Sequence, residues 1–389
     1  MATRRIKIAN FFIGTGEPVA IQTMCATKTC DIEATAAMAQ ALSDAGAALV
    51  RIAVDTDRDA EALAQIRRRT SAALSVDLQE NYLLAEKIAP CVDKIRYNPG
   101  HLHHRRPEQP WEEKVRYLAQ VADDNDVALR VGVNCGSLSP ASRAAIRGAR
   151  SCDDRDSTRF DSILKSAVDQ TLFLDSIGFF RYCVSIKDSD PEVVIAVNRR
   201  FRQLRPEVPL HLGVTEAGLP PVGVMKSRHA MERLLSEGIG ETLRVSLTVE
   251  NDHKIEEVEA GKLILRNVAQ GVIFDPALEK YPALNIVSCP SCSRVQNGAF
   301  VALARKVREA TAPFADRRLT IAVMGCRVNG PGETDDADFG LWCGSDRVHL
   351  KKGSQELGSW PYDEILDVLL GRLKEYFAGM DLGLAAGEN

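Results

Sequence analysis

The stretch ALRVGVN, residues Ala128–Asn134, is an uninterrupted strand-forming run with an arginine in its first half and an asparagine at its end. Because side chains alternate between the two faces of a strand, Arg130 and Asn134 share one face. Similar runs recur through residues 1–250. The strand candidates are centred on Val19–Met24, Ala48–Val54, Leu74–Leu78, Lys94–Asn98, Ala128–Asn134, Tyr182–Lys187, Leu210–Thr215 and Leu243–Thr248.

Amphipathic helical patterns separate most of these strands. They cover Ile32–Ala45, Asp57–Arg69, Trp111–Asp123, Arg159–Ile177, Pro191–Leu204 and Lys226–Glu237. Eight strand-then-helix units in about 250 residues match the requirement of a (β/α)₈ barrel. We therefore predict an α/β protein whose residues 1–255 form a TIM barrel, with a doubly wound open sheet as the structural alternative.

Nearly every strand candidate carries a polar side chain near its carboxyl end, where TIM-barrel active sites lie. The basic members of this set are Arg51, Arg96, Arg130, Lys187 and Arg244. The others include Asp77, Asn134, His211, Glu216 and Ser246. The presence of any single arginine in this set is explained by a structural ion pair with Asp77 or Glu216. The repetition instead predicts a polyanionic ligand, most simply a diphosphate, because burying many like charges is costly without an anion.

Composition narrows the class of protein. The 389 residues carry a formal net charge of −4, are 45% hydrophobic and 26% charged, and include ten cysteines. Without a basic stripe, nucleic-acid binding is not expected. No apolar run reaches the roughly 18 residues of a membrane span, and no apolar signal core follows the first residues. Many cysteines without an export signal are typical of a reducing compartment, so we expect a cytoplasmic protein.

The alternation of strand and helix patterns ends after the last strand candidate. A junction is expected over 256–284, where two prolines interrupt the pattern. A second, smaller α/β domain is predicted over 285–378, followed by a loosely ordered tail over 379–389. Its expected strands and helices are Asn285–Ser288, Val295–Ala310, Leu319–Met324, Arg347–Leu350 and Tyr362–Phe377.

This second domain holds the strongest chemical signal of the chain. Cys289 and Cys292 form a C-x-x-C pair, and Cys326 and Glu333 follow in the run MGCRVNGPGE. Three thiolates leave one position of an iron–sulfur cluster for a weaker, replaceable ligand, which allows chemistry on a substrate. The glycines of that run let backbone approach such a bulky centre. A zinc site completed by Cys343 is the alternative on ligand chemistry.

Segments spread over nearly the whole chain carry a specific family resemblance. They are Val50–Val54, Lys94–Gly100, Arg130–Asn134, Ser185–Lys187, His211–Gly218, Arg244–Thr248 and the two cysteine motifs. In this order they resemble the 4-hydroxy-3-methylbut-2-enyl diphosphate synthases of the methylerythritol phosphate pathway to isoprenoids. The chain length is similar to the short form of that family, which lacks an inserted middle domain, whereas Gly332–Gly340 is similar to the long form.

The resemblance implies a TIM barrel followed by an iron–sulfur domain similar to a half-module of sulfite reductases. It implies a 4Fe–4S cluster held by Cys289, Cys292, Cys326 and Glu333. It also implies a homodimer in which the barrel of one subunit faces the cluster of the other. The implied reaction is reductive ring opening and dehydroxylation of 2-C-methyl-D-erythritol 2,4-cyclodiphosphate to (E)-4-hydroxy-3-methylbut-2-enyl diphosphate, with two electrons from ferredoxin or flavodoxin.

Roles for individual residues follow as hypotheses. Asp77 or Glu216 would transfer protons, and Glu333 would give way to a substrate oxygen. The chain departs from the family pattern at Leu78–Glu80, where a histidine–aromatic pair is common, and at Arg228–Met231, where a small glycine-containing run is common. The substrate-binding set would be Arg51, Arg96, Arg130, Asn134, Lys187, His211, Arg244 and Ser246.

Two other functions stay open on the residues alone. A lyase or aldolase acting on a phosphorylated sugar would use Lys187 as a Schiff-base nucleophile, with a structural zinc on the cysteines. A non-enzymatic iron–sulfur sensor would bind a diphosphate as a signal. The paired acids at the strand ends disfavour the sensor, because sensing does not require them.

Overall fold

The computed structural model describes residues 2–79, 81–134, 138–148, 152–326 and 330–386. Glu80, which belongs to one departure from the family pattern, and residues 387–389 lie outside these ranges. The chain begins with an antiparallel hairpin of β1 (Ile6–Ile8) and β2 (Phe11–Ile13). The apolar side chains of this hairpin pack against residues near the amino ends of later strands, namely Ala20, Leu49, Ala128 and Cys183. The hairpin therefore covers the amino end of the sheet that follows.

Eight parallel strands form the predicted barrel. They are β3 (Ala20–Met24), β4 (Leu49–Ala53), β5 (Leu74–Leu78), β6 (Lys94–Tyr97), β7 (Ala128–Asn134), β8 (Tyr182–Lys187), β9 (His211–Leu212) and β10 (Thr242–Leu243). The sheet order is β8-β7-β6-β5-β4-β3-β10-β9, and a bridge between Val184 and Leu210 joins its two ends. The sheet is thus a nearly closed barrel, and the open-sheet alternative is wrong.

Helices cover the outside of the barrel. They are α1 (Ile32–Asp44), α2 (Asp57–Arg67), α3 (Ala85–Ile88), α4 (Trp111–Asp124), α5 (Pro140–Arg147), α6 (Cys152–Ser176), α7 (Pro191–Leu204), α8 (Val222–Ser236) and α9 (Ile255–Ala269). Side chains cap several starts: Asp31 accepts a hydrogen bond from the Ala34 N–H, and Thr56 forms a capping box with Asp59. The apolar faces of the helices join those of the strands in one core.

The sequence places a junction from residue 256, but α9 begins at Ile255 and packs against β3 and α8. This helix is part of the barrel wall. The charged residues at its start suggest an exposed segment in the sequence. In the structure, Lys254 and Glu257 are both buried and pair with each other at 2.6 Å. The chain leaves the barrel only after Ala269.

A five-stranded sheet forms the C-terminal domain. Its elements are β11 (Leu284–Ser288), α10 (Ala299–Ala310), β12 (Leu319–Met324), α11 (Gly330–Asp336), β13 (Phe339–Cys343), β14 (Arg347–Lys352), β15 (Gln355–Pro361) and α12 (Ile365–Ala386). The strands follow in sheet order, and the first three are parallel. Their inner faces enclose a second apolar core with α10 and α12.

Two elements of this domain differ from expectation. The glycine-rich run predicted as a loop includes a short helix, α11, in which the Thr334 hydroxyl donates to the Gly330 carbonyl at 2.7 Å. Helix α12 continues through Ala386, although the sequence predicts a loose tail from Gly379. Alanine, leucine and methionine dominate that segment, and their helix propensity outweighs its glycines.

Among the described helices, none is long and apolar enough to cross a membrane.

The Asp175 carboxylate on α6 ties the N-terminal segment to the barrel. It accepts hydrogen bonds from Arg4 and from the Tyr182 hydroxyl, both at 2.7 Å, and from Arg205. Burial alone would raise the pKa of Asp175, but these partners lower it below its ordinary value. The folded state therefore favours the ionised carboxylate.

We predict that Asp175→Asn lowers the free energy of unfolding by about 2 kcal/mol at pH 7, because charge-assisted hydrogen bonds are lost. Since the folded pKa lies below the unfolded pKa, this stabilisation is present above the unfolded pKa and disappears as pH falls through the folded pKa. The difference between wild type and variant should shrink on acidification. Urea unfolding over a pH series measures it, with the exposed Asp169→Asn on the same helix as control. An unchanged difference at acidic pH would contradict the assignment.

Candidate active site

A cavity lies at the carboxyl ends of the barrel strands. Its empty space is about 780 Å³, counting the opening to solvent. The structure brings together most of the residues singled out in the sequence. Those from the barrel are Arg51, Asp77, Arg96, Arg130, Asn134, Lys187, Glu216, Arg244 and Ser246.

His211 is not among the residues that line this cavity. It pairs in register with Thr242, which in turn aligns with Ala20 at the amino end of β3. The residue therefore lies at a lower level of the barrel, where its Nδ1 is 2.6 Å from the Thr242 hydroxyl. Burial, followed by the nearby charges of Arg130 and Lys187, keeps the pKa of His211 well below its ordinary value. The substrate contact of His211 therefore stays a prediction that the cavity lining does not include.

Asp77 lies between two arginines. Its Oδ1 accepts from Arg96 at 2.8 Å and its Oδ2 accepts from Arg294 at 3.0 Å. Burial would raise the pKa of Asp77, but the charges of Arg96, Arg51 and Arg294 hold it well below the ordinary range. The carboxylate is thus ionised near neutral pH, which suits an ion-pair partner better than a proton donor.

Positive charge exceeds negative charge in the cavity. Among the residues that the structure describes, six basic side chains line it together with two acidic ones, Asp77 and Glu216. Arg130 is buried, and its Nε and Nη1 have no hydrogen-bond partner among the described residues. Burial, then the charge of Arg96, lowers the pKa of Arg130 to about 9. Unpaired buried guanidinium groups call for an anionic ligand.

Two glycines make room for these long side chains. A Cβ at Gly132 would lie 2.0 Å from the Arg96 Nε, and a Cβ at Gly213 would lie 2.5 Å from the Lys187 Nζ. The Arg96 Nη2 also donates to the Gly132 carbonyl at 3.0 Å. A side chain at either glycine would therefore displace a basic group of the cavity.

The segment after β9 presents Glu216. Its backbone is left-handed, with φ of 44°, a strained conformation for a residue with a side chain. The Thr215 hydroxyl donates to the Glu216 carboxylate at 2.7 Å, and the Asn134 amide donates to Thr215 at 3.2 Å. Glu333 lies beside it: burial, then Glu216, raises the pKa of Glu333 well above its ordinary value.

Three cysteines of the C-terminal domain, Cys289, Cys292 and Cys326, line the same cavity. The Gly325 N–H donates to the Cys289 sulfur at 3.3 Å. Burial, then the proximity of Cys326 and, after it, Cys292, raises the pKa of Cys289 well above its ordinary value. In the described part of the chain, no three metal-binding side chains converge as on one metal ion. Three thiols that line one cavity supply the ligand type of an iron–sulfur cluster, in which each ligand binds a different iron.

Cys343 does not line the cavity. Its thiol is buried next to Tyr362, and burial raises its pKa to about 12. Cys343 therefore does not lie with the other three cysteines, as the fourth ligand of a zinc site would. Cys343 instead belongs to the apolar core of the C-terminal domain.

Both halves of the cavity come from one chain. The resemblance implies a cluster that faces the barrel of a partner subunit, whereas here the cysteines lie over the barrel of their own chain. The cavity also contains residues that sequence reasoning missed, namely Gln79, Ser185, Thr215 and Arg294. Arg294 directly follows the C-x-x-C motif, and its position there is the signal that could have identified it.

Comparisons with known proteins cover both domains. Residues 3–262 match the family model described as GcpE TIM-barrel domain, and residues 285–375 match the GcpE protein C-terminal domain. A 4-hydroxy-3-methylbut-2-en-1-yl diphosphate synthase (flavodoxin) of Rhodopirellula baltica is 54% identical over 376 residues, covering 97% of this chain and 96% of the relative. A relative of the same name from Nautilia profundicola is 34% identical, covering 96% of this chain and 97% of the relative.

Among solved structures, dihydropteroate synthase from Stenotrophomonas maltophilia matches 69% of this chain and 99% of its own, with a TM-score of 0.48 and 14% identity. The family models and the relatives, in contrast, extend over nearly the whole chain, and the resemblance predicted from its segments is confirmed. This chain belongs to the GcpE family.

Proposed function

We propose that this chain is a 4-hydroxy-3-methylbut-2-enyl diphosphate synthase. It opens the ring of 2-C-methyl-D-erythritol 2,4-cyclodiphosphate and removes one oxygen as water, using two electrons from flavodoxin. One observation carries the proposal: three thiols and a surplus of basic side chains line a single cavity. The names of the relatives support the reaction and its electron donor.

The cofactor is a 4Fe–4S cluster, and Cys289, Cys292, Cys326 and Glu333 would hold it. When bound, such a cluster supplies single electrons and a coordination position for a substrate oxygen. The thiols lie beside the cavity, and the Gly325 N–H that donates to the Cys289 sulfur provides the kind of contact that tunes a cluster. These contacts support the cluster assignment.

The barrel residues bind and orient the diphosphate. Arg51, Arg96, Arg130, Lys187 and Arg244 provide the positive charge, and Asn134 and Ser246 add neutral hydrogen bonds. Glu216 is the carboxylate best placed to transfer a proton, because it lines the cavity and the Thr215 hydroxyl holds its side chain. Asp77, which two arginines keep ionised, holds those arginines in place.

We also infer that the chain forms a homodimer and acts in the cytoplasm. The homodimer rests on the family resemblance, with light scattering as its test. The cytoplasmic location is supported by the free thiols among the described cysteines, since a reducing compartment keeps them available for a cluster. The lyase alternative with Lys187 as nucleophile is not favoured, because the curated relatives bear the name of a reductive synthase.

The first test measures iron, sulfide and turnover on anaerobically purified protein. About four irons and four sulfides per chain, with conversion of the cyclic diphosphate under reduced flavodoxin, are expected for this cluster type. Stoichiometric zinc without labile sulfide would overturn the proposal. Ferredoxin in place of flavodoxin tests the choice of donor.

We predict that Glu333→Ala lowers turnover by about two orders of magnitude or more, because a ligand position and a buried carboxylate are lost together. Circular dichroism should show an intact barrel. The exposed Glu309→Ala in the same domain is the control and should keep wild-type activity. Full activity in Glu333→Ala would show that Glu333 is not a cluster ligand.

A second prediction concerns the space behind Arg96. Gly132→Ala should lower kcat/KM about 10- to 100-fold, because its Cβ displaces the guanidinium from the cavity. Gly371→Ala is the matched control, since a Cβ there meets nothing within 4 Å. Steady-state kinetics with the cyclic diphosphate measures both. Unchanged kinetics in Gly132→Ala would show that Arg96 does not act on substrate.

A further inference from the structure

Gln79 follows β5 and lines the cavity, in the segment where this chain departs from the family pattern. Its side chain is buried, and so is that of His101 on the loop after β6. The Gln79 Oε1 accepts a hydrogen bond from the Arg96 Nη1, and the Gln79 Nε2 is 3.4 Å from the His101 Nδ1. His101 is not among the described residues that line the cavity. These three side chains, the His101–Gln79–Arg96 network, connect the cavity with a loop outside it.

The chemistry of donors and acceptors gives this network one direction. A guanidinium has donors only, so the oxygen of the Gln79 amide faces Arg96 and its NH₂ group faces His101. The His101 Nδ1 then accepts, which places the imidazole proton on Nε2. If residue 101 had no acceptor, the buried amide would lose the contact that keeps its oxygen turned toward Arg96.

The turn that carries His101 is anchored to the barrel wall. It spans Pro99–His104 and follows directly after β6. The buried ammonium of Lys114 on α4 donates to the Leu102 carbonyl at 2.8 Å and to the Arg105 carbonyl at 2.9 Å. This anchoring gives the His101 ring a fixed position beside Gln79.

Three acceptors hold the Arg96 guanidinium. Its Nη1 donates to Asp77 at 2.8 Å as well as to Gln79, and its Nη2 donates to the Gly132 carbonyl at 3.0 Å. Its Nε is buried and has no hydrogen-bond partner among the described residues, which calls for an anionic ligand. Of the three acceptors only Asp77 carries a charge. Gln79 therefore orients Arg96 without compensating the positive charge that binds the anion.

We propose that His101 is a positioning residue for diphosphate binding, which orients Arg96 through the amide of Gln79. An imidazole thus acts at this edge of the cavity from the loop after β6, although Leu78–Glu80 contains no histidine. The proposal rests on the proposed function, because the diphosphate of the substrate is the anion that Arg96 would bind.

Binding of inorganic pyrophosphate to the anaerobically purified holoenzyme, measured by isothermal titration calorimetry, tests the acceptor at residue 101. We expect His101→Leu to weaken binding about five- to tenfold, as the loss of one well-placed hydrogen bond does. His101→Asn keeps a side-chain acceptor near the position of Nδ1 and should stay within about twofold of wild type. The matched control is His103→Leu, on the same turn and half-buried, which should bind as wild type. Wild-type affinity in His101→Leu, or an equal loss in His101→Asn, would overturn the proposal.

A double-mutant cycle tests whether His101 acts through Gln79. Gln79→Met removes the amide and should weaken pyrophosphate binding by a similar factor. Because nothing then connects His101 with Arg96, adding His101→Leu should cause no further loss. Losses that multiply in the double variant would overturn the network. Circular dichroism checks the fold of each variant; if His101→Leu does not fold, wild-type affinity in Gln79→Met is sufficient to overturn the proposal.

Turnover of the cyclic diphosphate is measured separately, so that the two proposals can fail separately. His101→Leu should raise KM and leave kcat within about twofold of wild type, because the network acts on binding of the diphosphate. Coupled losses of pyrophosphate affinity in a protein that does not convert the cyclic diphosphate would support the network and refute the proposed function. Full turnover with independent effects of His101 and Gln79 would refute the network alone.

Discussion

Buried positive charge at the carboxyl end of the barrel is the constraint on which the rest of the structure depends. Six basic side chains face one cavity with two acids, and Arg130 has polar atoms without a partner among the described residues. Such a group of like charges is stable only if carboxylates between the basic side chains and a bound anion compensate it. Asp77 and Glu257 are two such carboxylates, since the first pairs with Arg96 and the second with Arg244.

The same constraint explains how the C-terminal domain is seated. Its loop brings a further arginine, Arg294, toward an already positive cavity, which is tolerable because Asp55 and Asp77 receive it. Lys254 reaches the loop from the other side and is compensated by Glu257. The thiols therefore face a space whose walls are charged, and the carboxylates of Asp55, Asp77 and Glu257 hold Arg294 and Lys254 in place.

The sequence predicted the barrel strands and most of the cavity residues because strand periodicity and the position of each strand end are local properties. Prediction from the sequence failed where contacts between distant residues determine the position of an element. The charged pattern at the start of α9 predicts a junction, because in sequence its buried Lys254–Glu257 pair cannot be told from a solvated charge pattern. The edge strand β15 was missed because it is partly exposed and shows no apolar alternation. The level of His211 in the barrel depends on pairing with Thr242, which its own strand pattern does not reveal.

Asp77 is shared between Arg96 on the barrel and Arg294 on the C-terminal domain, and this sharing has a thermodynamic consequence. An anion that draws Arg96 away leaves more of the Asp77 charge for Arg294. Binding of an anion by Arg96 and the strength of the Asp77–Arg294 contact are thus coupled, and reciprocity requires that this contact favour anion binding by the same factor. One carboxylate makes the two halves of the protein a single cooperative unit.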